Sequence, residues 1–196
     1  VGYEKRQQAP TPMAARDHEG ALPAVAVRPA GSLEWAVHAL HAYLAGVAPR
    51  GEHALLCHSD ADGLAAGVIL CRALERAGRP RARLLVTGKG ESAWSAGTLK
   101  QVAQAKPDAL VVLDLGSRPQ PIFPGVPTLL IDHHRPLGVP PGAVLVCSYW
   151  WEPIPCTAAL AFWLGATLAD ISDLVWMAAV GIVSDLGEDS PLYPLP

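Results

Sequence analysis

Ala54-Leu55-Leu56-Cys57 runs directly into His58-Ser59-Asp60-Ala61-Asp62-Gly63. Four consecutive apolar residues leave no polar face, so they read as a strand buried on both sides. The acids follow at once, and Leu64 to Arg76, closed by Gly78, has helical spacing. Strand, acidic turn and helix make the opening of a β-α-β unit. The theme continues along the chain. Ala82 to Val86 reads as a strand and Ser95 to Ala105 as a helix. Ala109 to Leu113, Thr128 to Ile131 and Ala143 to Val146 read as further strands. Cys156 to Leu168 and Asp170 to Val183 read as helices. Ahead of the first strand, Ser32 is placed to cap a helix from Leu33 to Ala45, with Leu33, Ala36, Val37, Leu40 and Leu44 at helical spacing. The fold class expected is α/β: a doubly wound, mainly parallel five-stranded sheet with helices on both faces.

Composition fits that reading. The chain has 196 residues, 51% hydrophobic and 17% charged, enough to bury a core without staples. Residues 1–31 read as an Ala/Pro-rich arm, 32–190 as the domain and 191–196 as a Pro-rich end. The formal charge is −3 and the basic residues are scattered, which excludes a bulk nucleic-acid-coating surface but leaves room for a local basic groove. The most apolar stretch, Cys156 to Ala169, is shorter than a membrane span and is followed by Asp170 and Asp173. No basic segment leads an apolar one at the start, as a signal peptide would require. The chain begins at Val1, as a processed chain or an excerpt of a longer one would. Cys57, Cys71, Cys147 and Cys156 form no C-x-x-C pair and mostly sit in apolar runs, so reduced thiols and a cytoplasmic location are expected.

The acids are informative because they are few, 18 Asp and Glu in all, and because of where they fall. One group follows the first strand, Asp114 ends the third, Asp132-His133-His134 ends the fourth, and Asp185 follows the last helix. Ligands of an open parallel sheet bind outside the carboxyl ends of its strands, so these segments are expected to converge in one crevice. Clustered carboxylates repel one another, and cations relieve that repulsion. Oxygen donors with an imidazole or two suit Mn²⁺ or Mg²⁺. Each group also has an ordinary reading, as a helix cap at Asp60, a turn at Asp114 or Asp185, or surface loop at His133 and His134. Taken together, four such groups at the places a shared site requires are poorly explained by caps and turns.

Asp60-x-Asp62-Gly63, Asp114, Asp132-His133-His134 and Asp185, in this order on a β-α-β pattern, resemble the DHH phosphoesterase superfamily, in its RecJ-like form. The likeness spans roughly Glu52 to Gly187. The resemblance implies two ions, with Asp60 on the first, Asp62, His133 and Asp185 on the second, and Asp114 bridging both. It implies His134 beside the scissile phosphate and Asp132 holding the histidine loop. His58 stands two residues before the first Asp, where some branches of the family carry a ligand His four before, at the position of Leu56; the resemblance leaves a ligand role for His58 open. Family enzymes usually carry a second, substrate-binding domain, which is not within these residues; a missing C-terminal domain or a partner chain is the corresponding expectation.

Three basic residues are candidates for substrate contact. Lys89 lies in Thr87-Gly88-Lys89-Gly90 after the second strand, and Arg118 and Arg135 follow two of the acidic motifs. Each is equally well placed to be a solvated loop residue. Trp94, beside the Gly-Lys-Gly loop, is either a core filler or a surface on which a base stacks. The function expected is divalent-metal-dependent phosphodiester hydrolysis of single-stranded DNA or short oligonucleotides by two ions, without membrane association. The alternatives are a small-molecule phosphoesterase, on a cyclic dinucleotide or pyrophosphate, and a non-catalytic nucleic-acid-binding scaffold.

Overall fold

The computed structural model describes residues 32–185; the expected arm at 1–31 and the end at 186–196 lie outside them. Five strands form one all-parallel sheet: β1 (His53–Cys57), β2 (Arg83–Val86), β3 (Ala109–Leu113), β4 (Thr128–Asp132) and β5 (Val144–Cys147). Their order across the sheet is β2-β1-β3-β4-β5. This is a doubly wound order, and it reverses between β1 and β3, where such sheets bind their ligands. The helices are α1 (Leu33–Ala45), α2 (Ala61–Arg76), α3 (Ala96–Ala105), α4 (Thr157–Ala166) and α5 (Val175–Ser184).

The period-2 geometry of the strands divides the core into two layers. Leu55, Cys57, Val111, Leu113, Leu129 and Ile131 face α1, α2, α4 and α5. Leu56, Leu110, Val112 and Leu130 face the other way, toward Val102 and Leu99 of α3 and toward Ile122 and Phe123 of the segment after β3. Among the described residues both faces are thus covered, with four helices on one and a single helix on the other. Burying each large aliphatic side chain contributes roughly 1.5–3 kcal/mol, which is why β1, β3 and β4 are apolar at every position but their ends.

Two sequence expectations need correction. The helix expected from Leu64 begins at Ala61, because Asp60 caps it, so Asp62 lies within its first turn rather than in a loop. The helix expected from Asp170 is split. Asp170 accepts the Ser172 amide at 3.0 Å, an Asx turn that competes with the helix, and a short 3₁₀ turn (Ser172–Leu174) precedes α5. Among the described residues no helix is long and apolar enough to cross a membrane, and all four cysteines are unpaired.

Candidate metal centre

Strand register sets the first row of the site. Cys57 pairs with Leu113, and Leu113 with Ile131. One residue further, His58, Asp114 and Asp132 therefore stand side by side at the carboxyl edge of the sheet.

The turn after β1 contributes two acids in different roles. Asp60 caps α2, its Oδ1 accepting the Gly63 amide at 2.9 Å while Oδ2 lies 2.7 Å from His58 Nδ1. A Cβ at Gly63 would come within 2.7 Å of the His58 carbonyl oxygen, so only glycine lets the turn close this tightly. Burial works against the Asp60 anion, but the Gly63 amide and His58 outweigh it and hold the carboxyl below its usual range. Asp62, one half-turn into α2, is completely buried. Its Oδ1 accepts the Ala158 amide at 2.7 Å and its Oδ2 the Thr157 amide at 2.9 Å, so the carboxylate sits on the N-terminus of α4. Two amides and the positive end of a helix are a strong anion seat. Burial nevertheless raises its pKa above the ordinary value.

Asp114 occupies the centre. Its φ of 62° is left-handed, a conformation Asp tolerates better than most residues, and it turns the chain sharply at the end of β3. Oδ1 accepts the Thr157 hydroxyl at 3.2 Å and lies 3.3 Å from His133 Nε2; Oδ2 lies 3.7 Å from His58 Nδ1. Burial pushes its pKa up to about 6, and the nearby Asp62 and Asp60 add to this against the hydrogen bond of His133. Asp132 works differently. Its Oδ1 accepts the His133 amide (2.7 Å), the His134 amide (2.9 Å) and His134 Nδ1 (2.8 Å), which fixes the two-histidine turn. Its Oδ2 is buried and has no hydrogen-bond partner.

His133 faces three carboxylates: its Nε2 is 3.2 Å from Asp185 Oδ2, 3.3 Å from Asp114 Oδ1 and 3.9 Å from Asp62 Oδ2. Burial alone would depress its pKa, but the Asp114 hydrogen bond and the surrounding anions overcome this and raise it. His134 is exposed and packs edge-on against His133, ring centres 4.4 Å apart. The hydrogen bond to Asp132 raises its pKa to about 9. Asp185 arrives from the end of α5, which Gly181 lets approach closely: a Cβ there would meet Ala158 and come within 2.9 Å of Asp62 Oδ1.

The eight acidic and histidine residues anticipated from sequence are thus gathered at one edge. Their donor atoms form three overlapping sets, each within 4.8 Å: His58 with Asp60 and Asp114; Asp62 with His133 and Asp185; and Asp114 with Asp132, His133 and His134. The donors are oxygens and imidazoles. Cys156 adjoins Asp62, but burial pushes its thiol far up, leaving it protonated. This donor chemistry fits Mn²⁺ or Mg²⁺, and a cation would relieve the penalty on Asp62 and Asp114.

Two clefts of about 350 Å³ and 370 Å³ open on the cluster, and both are lined by His134 and Arg135. The first also includes Glu91, Ser92, Ser117 and Arg118. There Arg118 lies over the Trp94 ring, 5.1 Å from its centre, so that face of Trp94 meets a guanidinium of the chain itself. Lys89 is exposed in the loop after β2. The Gly88 amide of that loop donates to Glu91 Oε2 at 3.1 Å and is therefore engaged internally. Sequence reasoning missed Thr157 and the amides of α4. They follow β5 rather than an acidic motif, and a helix start on the ligand-binding edge was their only signal.

No protein-family model and no curated protein matches the chain. Solved structures do. A crystal structure of exonuclease RecJ bound to manganese aligns with a TM-score of 0.66 and 22% identity, over 82% of this chain and 44% of that one. The fold is RecJ-like. RecJ in complex with Mn²⁺ from Thermus thermophilus aligns with a TM-score of 0.59 and 23% identity, over 83% of this chain and 25% of that one. The chain spans less than half the length of these RecJ chains. The RecJ-like α/β domain anticipated from the acidic motifs is therefore present as a fold.

Proposed function

We propose that the chain is the catalytic part of a RecJ-like, divalent-metal-dependent phosphodiester hydrolase acting on single-stranded DNA or short oligonucleotides. The observation that carries this reading is the pair of donor triads, His58/Asp60/Asp114 and Asp62/His133/Asp185, meeting at the switch point of a parallel sheet. One triad would hold each ion, Mn²⁺ or Mg²⁺, with Asp114 shared through its contact to His133. Two such ions supply charge neutralisation at the phosphoryl group and a lowered pKa for the attacking water.

The chain's own residues do the rest. Asp62 and Asp114 are preset by the α4 amides and the Thr157 hydroxyl, so little reorganisation is required of them. Asp132 holds the His134 ring at Nδ1, and with its pKa raised to about 9 His134 is charged at neutral pH. From Nε2 it donates a hydrogen bond to a phosphoryl oxygen, or the proton to the departing oxygen. Arg135 and Arg118 attract the polyanion from the clefts, and Lys89 does so from the neighbouring loop. The scattered charge suits a single strand entering a groove more than a duplex lying on a surface. Substrate capture would be completed by a C-terminal domain beyond these residues or by a partner chain. The unpaired cysteines suit the cytoplasm.

The test is a hydrolysis panel with Mn²⁺ on labelled single strands, dinucleotides, a cyclic dinucleotide and pyrophosphate, with the full-length gene product run beside this chain. Single strands are expected to be cleaved fastest, and EDTA to stop the reaction. Faster turnover of the small molecules would move the substrate class to the small-molecule alternative. A folded sample that neither binds Mn²⁺ by calorimetry nor hydrolyses any of them would leave the scaffold reading.

A further inference from the structure

We propose that the cleft walled by Tyr149 and Ile154 is a nucleobase subsite, with the Tyr149 ring as its stacking platform; this rests on the phosphodiester reading above. The two clefts share His134 and Arg135 but differ in chemistry. One holds Ser92, Ser117 and Arg118, donors suited to a sugar-phosphate backbone, with Glu91 beside them. The other, about 370 Å³, is walled by Tyr149, Ile154, Cys156 and Ile182, with a size in the range of small-ligand sites. A phosphodiester at the junction has two substituents, and the two clefts offer one polar and one apolar place for them. In a nucleic acid, the flat apolar group tethered to a phosphate is the base.

Local structure equips this wall for stacking. Tyr149 is 36% exposed and Ile154 46%, so this cleft lining presents apolar surface to solvent. Trp150 makes a T-shaped contact with Tyr149, ring centres 5.4 Å apart at 85°, which restrains the tyrosine ring while the residue stays 36% exposed. Ile182 of α5 adds apolar surface to the same lining, and the Cys156 thiol there is neutral. Beyond the two histidines, the lining sets one cation, Arg135, against the Asp185 carboxylate, and the rest of the wall is largely apolar, which suits an uncharged base better than a second phosphate.

The experiment compares short single strands with strands carrying an abasic residue at one end or the other, in Mn²⁺, by kcat/KM. Base-stacking contacts of this kind are worth roughly ten- to hundred-fold. The chain should prefer a base at one terminus by about tenfold or more. Tyr149→Ala should collapse that ratio to about twofold, and Tyr149→Phe should retain it; a ratio is insensitive to any general loss of activity. Equal rates on abasic and normal ends, or a preference that survives Tyr149→Ala, would overturn the proposal while leaving the hydrolase reading intact. Should no strand be cleaved, fluorescence of a terminal 2-aminopurine in Ca²⁺ decides: quenching lost in Tyr149→Ala supports the subsite without the hydrolase, and no quenching defeats both.

Discussion

Asp60 and Asp62 are two residues apart and occupy different solvents. Asp60 belongs to an outer corner, with His58, at the open mouth of the β1/β3 switch point. Asp62 belongs to an inner corner, buried where α2, α4 and α5 meet, with the half-buried His133 and the exposed Asp185 beside it. In the outer corner the carboxylate is partly hydrated and held by one amide and one imidazole. In the inner corner two helix amides hold it and it is sealed from solvent. The inner corner is therefore part of the packing of the protein, and the outer corner is closer to a removable attachment. Two nearly adjacent acids in one turn acquire these roles because a helix start rotates successive side chains by about 100°. One is left at the cap and the other is turned into the interface with α4.

The comparison can be broken or sharpened by experiment. Asp114 joins the corners, so Asp114→Asn should lower Mn²⁺-dependent hydrolysis by about a thousand-fold or more, a size typical of lost charge stabilisation. The fold should survive, since Asn also accepts a left-handed φ. Activity within a few-fold of the parent would dissolve the shared centre. Next in size, Asp62→Ala should destabilise the metal-free protein by about 2–3 kcal/mol, because two amides at a buried helix start lose their acceptor. Urea unfolding in EDTA measures this, and a change below about 0.5 kcal/mol would contradict a structural role for the inner corner. Gly181→Ala should cost about 1–3 kcal/mol by overpacking against Ala158 and Asp62, with weaker Mn²⁺ binding by calorimetry. The smallest stability effect belongs to the outer corner. Asp60→Ser keeps a helix cap, so unfolding should shift by only a few tenths of a kcal/mol, while one of two Mn²⁺ equivalents is lost in titration.

A pH experiment separates burial from charge. The Asp114 carboxyl has its pKa raised to about 6, so it holds its proton more tightly folded than unfolded. The metal-free protein should then lose stability as pH climbs from about 4 through 6. His134, raised to about 9, acts in the same direction later, losing its contribution as pH rises through that value. Mn²⁺ should accordingly raise Tm more at pH 8 than at pH 5. An equal rise at both would show that burial of Asp114 carries no such penalty.

Much of this architecture is legible in the order of the residues. Apolar runs without alternation announce β1, β3 and β4 as central parallel strands, and Asp114 and Asp132-His133-His134 stand where those strands have to end. The division of labour inside the cluster is legible only in part. By spacing alone Asp132 looks like any other acid of the set; the family resemblance assigns it to the histidine loop, and one of its oxygens is spent there. Asp62 reads as part of a loop, and it lies within a helix. Thr157, Gly181 and Tyr149 carry no acidic signal at all.

Periodicity and the placement of scarce charge determined the sheet, its direction and the edge at which the acids gather, because burial on both faces forbids polar residues anywhere except the strand ends. Which oxygen meets which amide, and which acid is dry, was decided only when α4 and α5 packed onto α2. Those contacts join residues more than ninety positions apart, and no local pattern encodes a distance across the fold.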